Sequence, residues 1–160
     1  MPIIFWCYGA AGNIYVVDDI FDYKIKLLDQ QGKLVKVIQK KFNRLKKTKE
    51  EQEEEKKKFD EAIKRTAVNV GIKYEPDKIK PIISKIFTDD LNRLWVNTLE
   101  GAPVSGMAFD IFDNNGKYLN KITTDFKAGG NILIRNNFMY CIYQDEEELP
   151  AFFVYKIIGQ

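Results

Sequence analysis

The sequence predicts an all-β fold with one inserted helix, and three observations carry that prediction. First, one pattern is used twice: Gly12-Asn13-Ile14-Tyr15-Val16 leads into Tyr23 to Ile38, as Asn92-Arg93-Leu94-Trp95-Val96 leads into Phe109 to Ile122. Self-similarity of this kind marks a repeat architecture. Second, the apolar runs are short, β-branched or aromatic, and bounded by Gly, Asn and Asp, which is how strands and turns are written. Third, a single tract, residues 46–58, holds only charged and polar residues with no glycine or proline.

Taken in order, Ile3 to Tyr8 and Ile14 to Val17 flank the turn signal Gly9-Ala10-Ala11-Gly12-Asn13 and read as a hairpin. Tyr23 to Leu28 alternates lysines with apolar residues, the period of a strand with one wet face. Asp29-Gln30-Gln31-Gly32 is a tight turn in which glycine supplies a positive φ, and Lys33 to Ile38 alternates again, less cleanly. These four strands form one antiparallel meander. In 46–58, pairs four apart (Lys46 with Glu50, Glu53 with Lys57, Glu54 with Lys58) favour helix. Phe59, Ala62, Ile63, Thr66, Ala67 and Val70 continue it with an apolar stripe that Gly71 can close, so the helix is expected to dock by its C-terminal half. A charge run of this kind is a solvated face more often than an interaction arm.

Tyr74 to Pro81 reads as a proline-bounded linker. Ile82 to Phe87, Arg93 to Asn97, Met107 to Phe112 and Lys117 to Thr123 then repeat the four strands, with Asp113-Asn114-Asn115-Gly116 as the counterpart of the turn at 29–32. The charged insertion accounts for the excess over a repeat of about 40–45 residues. A third copy has three strands: Ile132 to Ile134, Phe138 to Tyr143 and Ala151 to Ile158, with an acidic loop from Gln144 to Pro150. The chain is thus one domain over 1–160, with unit 1 at about 3–42, the helical insertion at about 43–72, unit 2 at about 82–126 and a partial unit 3 at about 130–158.

Composition excludes several function classes. The 160 residues are 45% hydrophobic and 13% aromatic, enough for one packed core, and 25 basic against 23 acidic residues leave a charge of +2. That balance, with lysines spread through strands and helix, gives no footprint for nucleic acid. Ile3 to Tyr8 is too short to span a bilayer, and no basic flank or cleavage site marks a signal peptide. Cys7 and Cys141 sit in apolar runs as buried free thiols. There is no histidine, no Gly-Xaa-Ser-Xaa-Gly elbow and no phosphate loop, so a nucleophilic triad has no support and no catalytic residue is assigned.

The segments Gly12 to Asp18 and Asn92 to Val96, each followed by an Asp-Xaa-Xaa-Gly-Lys turn, resemble blades of six-bladed β-propellers related to NHL repeats, over essentially the whole chain. The resemblance implies a partial, about three-bladed propeller of four-stranded antiparallel blades. It also implies that two blade faces lack neighbours, which soluble monomers do not tolerate over a broad area. A second copy completes six blades in a homodimer, or the chain belongs to a longer propeller, or the helix folds over a face; the dimer is the expectation. Members of that family are usually exported, although nothing here marks export.

Function follows the fold less closely, because propellers host enzymes, receptors and scaffolds alike. The expectation is a non-enzymatic binding module that self-associates and presents a surface. The alternative is a calcium-dependent hydrolase or small-ligand binder with an axial acidic site. Under the resemblance, ligand-binding candidates are Asp18, Asp19 and Asp22 in the first unit, Asn97 and Glu100 in the second, and the 144–148 loop in the third. Their oxygens suit calcium, a hard cation. Aspartates after strands more often brace turns. Tyr15, Trp95, Phe109, Phe112 and Tyr140 offer a stacking platform on paper, and burial in the core is the expectation.

Overall fold

The computed structural model describes residues 4–65, 73–128, 132–144 and 149–158. Three antiparallel meanders follow one another. Sheet 1 holds β1 (Phe5–Tyr8), β2 (Ile14–Val17), β3 (Lys24–Leu28) and β4 (Leu34–Gln39) in chain order. Helix α1 (Lys49–Arg65) intervenes. Sheet 2 holds β5 (Ile83–Thr88), β6 (Leu94–Thr98), β7 (Ala108–Phe112) and β8 (Tyr118–Thr123), and sheet 3 holds β9 (Ile132–Arg135), β10 (Phe138–Gln144) and β11 (Pro150–Lys156). Among the described residues the all-β class, the single α-helix and the strand count of four, four and three agree with the sequence reading.

The repeat is visible in the turns. In Asp29 to Lys33, Asp113 to Lys117 and Asp89 to Arg93 the aspartate Oδ1 accepts from the backbone N–H groups two and four residues on, all at 2.8–3.0 Å. The fourth residue of each turn has positive φ: Gly32 at 78°, Gly116 at 74° and Asn92 at 58°. After two of these turns a bulge falls at the same place, Leu27/Leu28 against β4 and Ile111/Phe112 against β8. Each bulge leaves one residue, Val35 or Leu119, outside the pairing and exposed. That extra residue is why 33–38 alternates imperfectly. Sheet 3 turns differently, through Asn136 and Asn137 at φ 52° and 62°, the pattern of a two-residue type I′ hairpin.

Two cores lie between the sheets. Tyr15, Ile25, Leu27 and Ile38 of sheet 1 pack with Ile86, Leu94, Val96 and Phe112 of sheet 2. Trp95, Phe109 and Ile111, on the opposite face of sheet 2, pack with Ile134, Met139 and the half-buried Tyr155 of sheet 3. Sheet 2 is therefore covered on both faces, and all five residues of β7 are buried. Tyr15, Trp95, Phe109 and Phe112 are core residues as expected, and Tyr140 is half-buried on the outer face of sheet 3.

The insertion departs from expectation. Residues 74–81 are not a free linker: Lys46 bridges Ile79, flanked by Lys47 N donating to Lys78 O at 3.0 Å and Lys80 N to Leu45 O at 2.8 Å. Helix α1 starts at a capping box, Thr48 N donating to Glu51 and Glu51 N to Thr48 Oγ1. It is held by charge from its N-terminal half, Glu51 to Lys80 and Glu55 to Lys47 and Tyr74, with Phe59 stacked on Tyr74 at 4.4 Å. None of its residues is fully buried; of the expected apolar stripe, Phe59 and Ile63 are half-buried and Ala62 is exposed. Thr66, Ala67, Val70 and Gly71 lie outside the described residues. Of the three expected pairs, Glu54 with Lys58 forms, at 2.6 Å.

Candidate functional site: a buried polar hub and two free sheet faces

The five predicted ligand residues are not gathered. In the β2–β3 connection, Asp18 pairs with Lys26 across the wet face of sheet 1, which holds its carboxyl below the usual range. Asp19 Oδ1 accepts from Phe21 N at 2.9 Å, a turn brace, and Asp22 lies half-buried beside it. Asn97, on β6, accepts from Ser84 Oγ of the neighbouring strand. Glu100 Oε1 accepts from Asn43 N at 3.0 Å, and its Oε2 lies 3.5 Å from Lys40 Nζ. Among the described residues no group of three or more His, Cys, Asp or Glu side chains could hold a metal ion. Residues 145–148 of the acidic loop lie outside the described residues.

Glu100 instead joins a cluster that sequence reasoning missed. Asp110, on β7, is completely buried. Its Oδ2 accepts from Tyr23 OH and from Lys40 Nζ, both at 2.8 Å, while Tyr118 OH lies 3.5 Å and Lys121 Nζ 3.7 Å from Oδ1. Lys40 Nζ stands 5.4 Å from the ring centroids of both Tyr23 and Tyr118. Lys121 Nζ also donates to Glu100 O at 2.7 Å. Two carboxylates thus meet two ammonium groups, and the formal charges cancel.

This arrangement fixes protons rather than moving them. Burial, reinforced by Asp110, pushes the Tyr23 phenol far up. Burial alone would lower Lys40, yet its hydrogen bond to Asp110 and the charges of Asp110 and Glu100 leave it raised. A general base works with a pKa near the working pH, and both the phenol and the ammonium are raised away from it. The hub is a tie between β3–β4 of sheet 1 and β7–β8 of sheet 2. A pocket of about 510 Å³ lined by Lys40, Lys41, Phe42, Asn43 and Glu100 opens beside it.

The larger unexplained features are the outer faces of the stack. On sheet 1 the outward row Trp6–Val16–Lys26 and its neighbour Tyr8–Ile14–Leu28 leave Trp6 57% and Tyr8 65% exposed, their rings edge to face at 5.4 Å. On sheet 3 the outward row Leu133–Tyr140–Val154 and the pair Ile142–Phe152 leave Leu133 57% and Phe152 65% exposed. Helix α1 covers neither: its described ties run to Lys47, Tyr74 and Lys80. No helix among the described residues is long and apolar enough to cross a membrane. Cys7 and Cys141 are free thiols, and burial pushes Cys7 up to about 12. No protein-family model matches the chain, and no curated protein or solved structure matches it.

Proposed function

We propose that this chain is a non-enzymatic assembly and binding module, three consecutive blades of an open β-propeller, that works by associating through its free sheet faces and presenting its loops. The observation that carries the reading is the exposure of apolar and aromatic side chains on the outermost face at each end of the stack. Patches of that kind mark interaction sites. Face-to-face packing of consecutive four-stranded meanders supports the blade reading, as does the identity of the Asp-braced turns. Completion by a second copy, to six blades, is preferred over capping by the helix, because α1 docks elsewhere.

Light scattering tests it directly. A species at twice the chain mass of 18.6 kDa is the expected result, and a single species at 18.6 kDa overturns assembly by self-association. Calcium is the control for the alternative hydrolase or ligand-binding reading. The candidate oxygens of Asp18, Asp19, Asn97 and Glu100 are engaged by protein donors. Millimolar calcium is therefore expected to leave the thermal midpoint unchanged, whereas a bound ion would raise it with concentration.

A further inference from the structure

Each internal interface is made from two different faces, and the register shows which. Toward the following sheet, sheet 1 turns the row Cys7–Tyr15–Leu27 and sheet 2 the row Phe87–Trp95–Ile111. Toward the preceding sheet, sheet 2 turns Thr88–Leu94–Phe112 and sheet 3 turns Ile134–Met139–Tyr155. Two faces remain without a partner sheet among the described residues. Leu133–Tyr140–Val154 of sheet 3 is a forward row, and Tyr8–Ile14–Leu28 of sheet 1 is a backward row.

Resting on the assembly reading above, we infer that the partner is a second copy of this chain and that the contact is heterologous: the outer face of sheet 3 on one copy seats the outer face of sheet 1 on the next. This continues the internal interface, forward row against backward row, across the gap between molecules. A like-with-like contact, sheet 1 on sheet 1, would pair two backward rows, a combination neither internal core uses. On the sheet 1 face Lys26 already pairs with Asp18, and Lys24 of the same face acts on that carboxylate as well, so the charges there are partly offset before the contact forms. Trp6 and Phe152, large exposed aromatics on the two faces, are the anchors such a contact needs. A heterologous contact closes into a ring or propagates as a chain of copies, and both keep this polarity.

Complementation of two face variants tests the polarity. Trp6→Glu spoils the sheet 1 face and Phe152→Glu the sheet 3 face, each at an exposed position, and an unchanged far-ultraviolet spectrum and unfolding midpoint at high dilution confirm folding. By sedimentation each variant alone is expected to run at the 18.6 kDa chain mass, and an equimolar mixture to form a species of twice that mass, because one intact contact remains. Self-association retained by either variant alone, or a mixture that stays at 18.6 kDa while the unaltered chain assembles, overturns the polarity and leaves assembly standing. An unaltered chain at 18.6 kDa overturns both.

Discussion

Asp110 is a charge at zero exposure, and such a group persists only when its partners replace the water it has lost. Tyr23, Lys40 and, at longer range, Tyr118 and Lys121 do so here, drawn from sheets 1 and 2. Asp110→Ala leaves Lys40 and the Tyr23 hydroxyl facing an empty, buried space, so it is expected to cost about 3–5 kcal/mol in urea unfolding. Asp18→Ala removes an exposed pair with Lys26 and is expected to cost under about 1 kcal/mol. Similar costs for the two would contradict the hub.

The same side chains set the alkaline limb of stability. Tyr23 and Tyr118 hold their protons above the ordinary value of 10.0, Lys40 above 10.5 and Cys7 above 9.0. Burial is the leading cause for the phenols and the thiol, and Asp110 and Glu100 for the ammonium. A group raised in the folded state contributes stability that is fully present below its unfolded value and is lost as pH rises. The unfolding midpoint is thus expected to hold to about pH 9 and then fall. Tyr23→Phe, which removes the most strongly raised of these titrations, should flatten the fall while lowering the plateau by one hydrogen bond, about 1–3 kcal/mol for a charged acceptor. A limb of unchanged slope in that variant would sink the assignment.

At the scale of elements, the aspartate-braced turns decide how strands are spaced, and they separate two otherwise identical glycines. Both Gly32 and Gly116 sit at positive φ, where an alanine costs about 1–2 kcal/mol. A Cβ at Gly32 meets nothing within 4 Å, whereas at Gly116 it would lie 2.8 Å from Ile38 Cγ1, a buried core atom of sheet 1. Gly116→Ala is expected to lose a further 1–3 kcal/mol or so beyond Gly32→Ala for overpacking, read as the difference in urea midpoints. Equal losses would mean that the turn of sheet 2 does not press on sheet 1.

These turns also show what the sequence discloses and what it hides. Asp29 and Asp113 announce themselves because glycine stands at the fourth position; Asp89 forms the same brace, but Asn92 takes the positive φ and disguises it. Strands of period two were legible, and the residue extruded at each bulge blurred the period in β4 and β8. The ladder between 45–47 and 78–80 was not legible, since neither segment alternates and about thirty residues separate them. Charge pairs tie the N-terminal half of α1, beside Phe59 stacked on Tyr74, and hydrophobic periodicity signals only the second of these. The hub joins Asp110 to residues 70 and 87 positions away, a long-range meeting that local pattern does not encode.

For the whole molecule the consequence is an asymmetry between its middle and its ends. Sheet 2 is covered twice, and sheets 1 and 3 once each, so the stack has a centre packed on both faces and two largely apolar ends. If those ends meet on a second copy, folding and association share one equilibrium and stability must depend on concentration. For a dimer unfolding to two chains, each tenfold rise in concentration adds about 1.4 kcal/mol. Because the unfolding entropy is that of both chains together, that moves the thermal midpoint up by roughly 2–3 °C. Phe152→Glu, which touches neither core, should abolish the dependence while retaining the dilute-limit midpoint. A midpoint in the unaltered chain that stays constant across a hundredfold range of concentration would mean that the two ends face water, and that the aromatic side chains on them serve some contact other than one with their own kind.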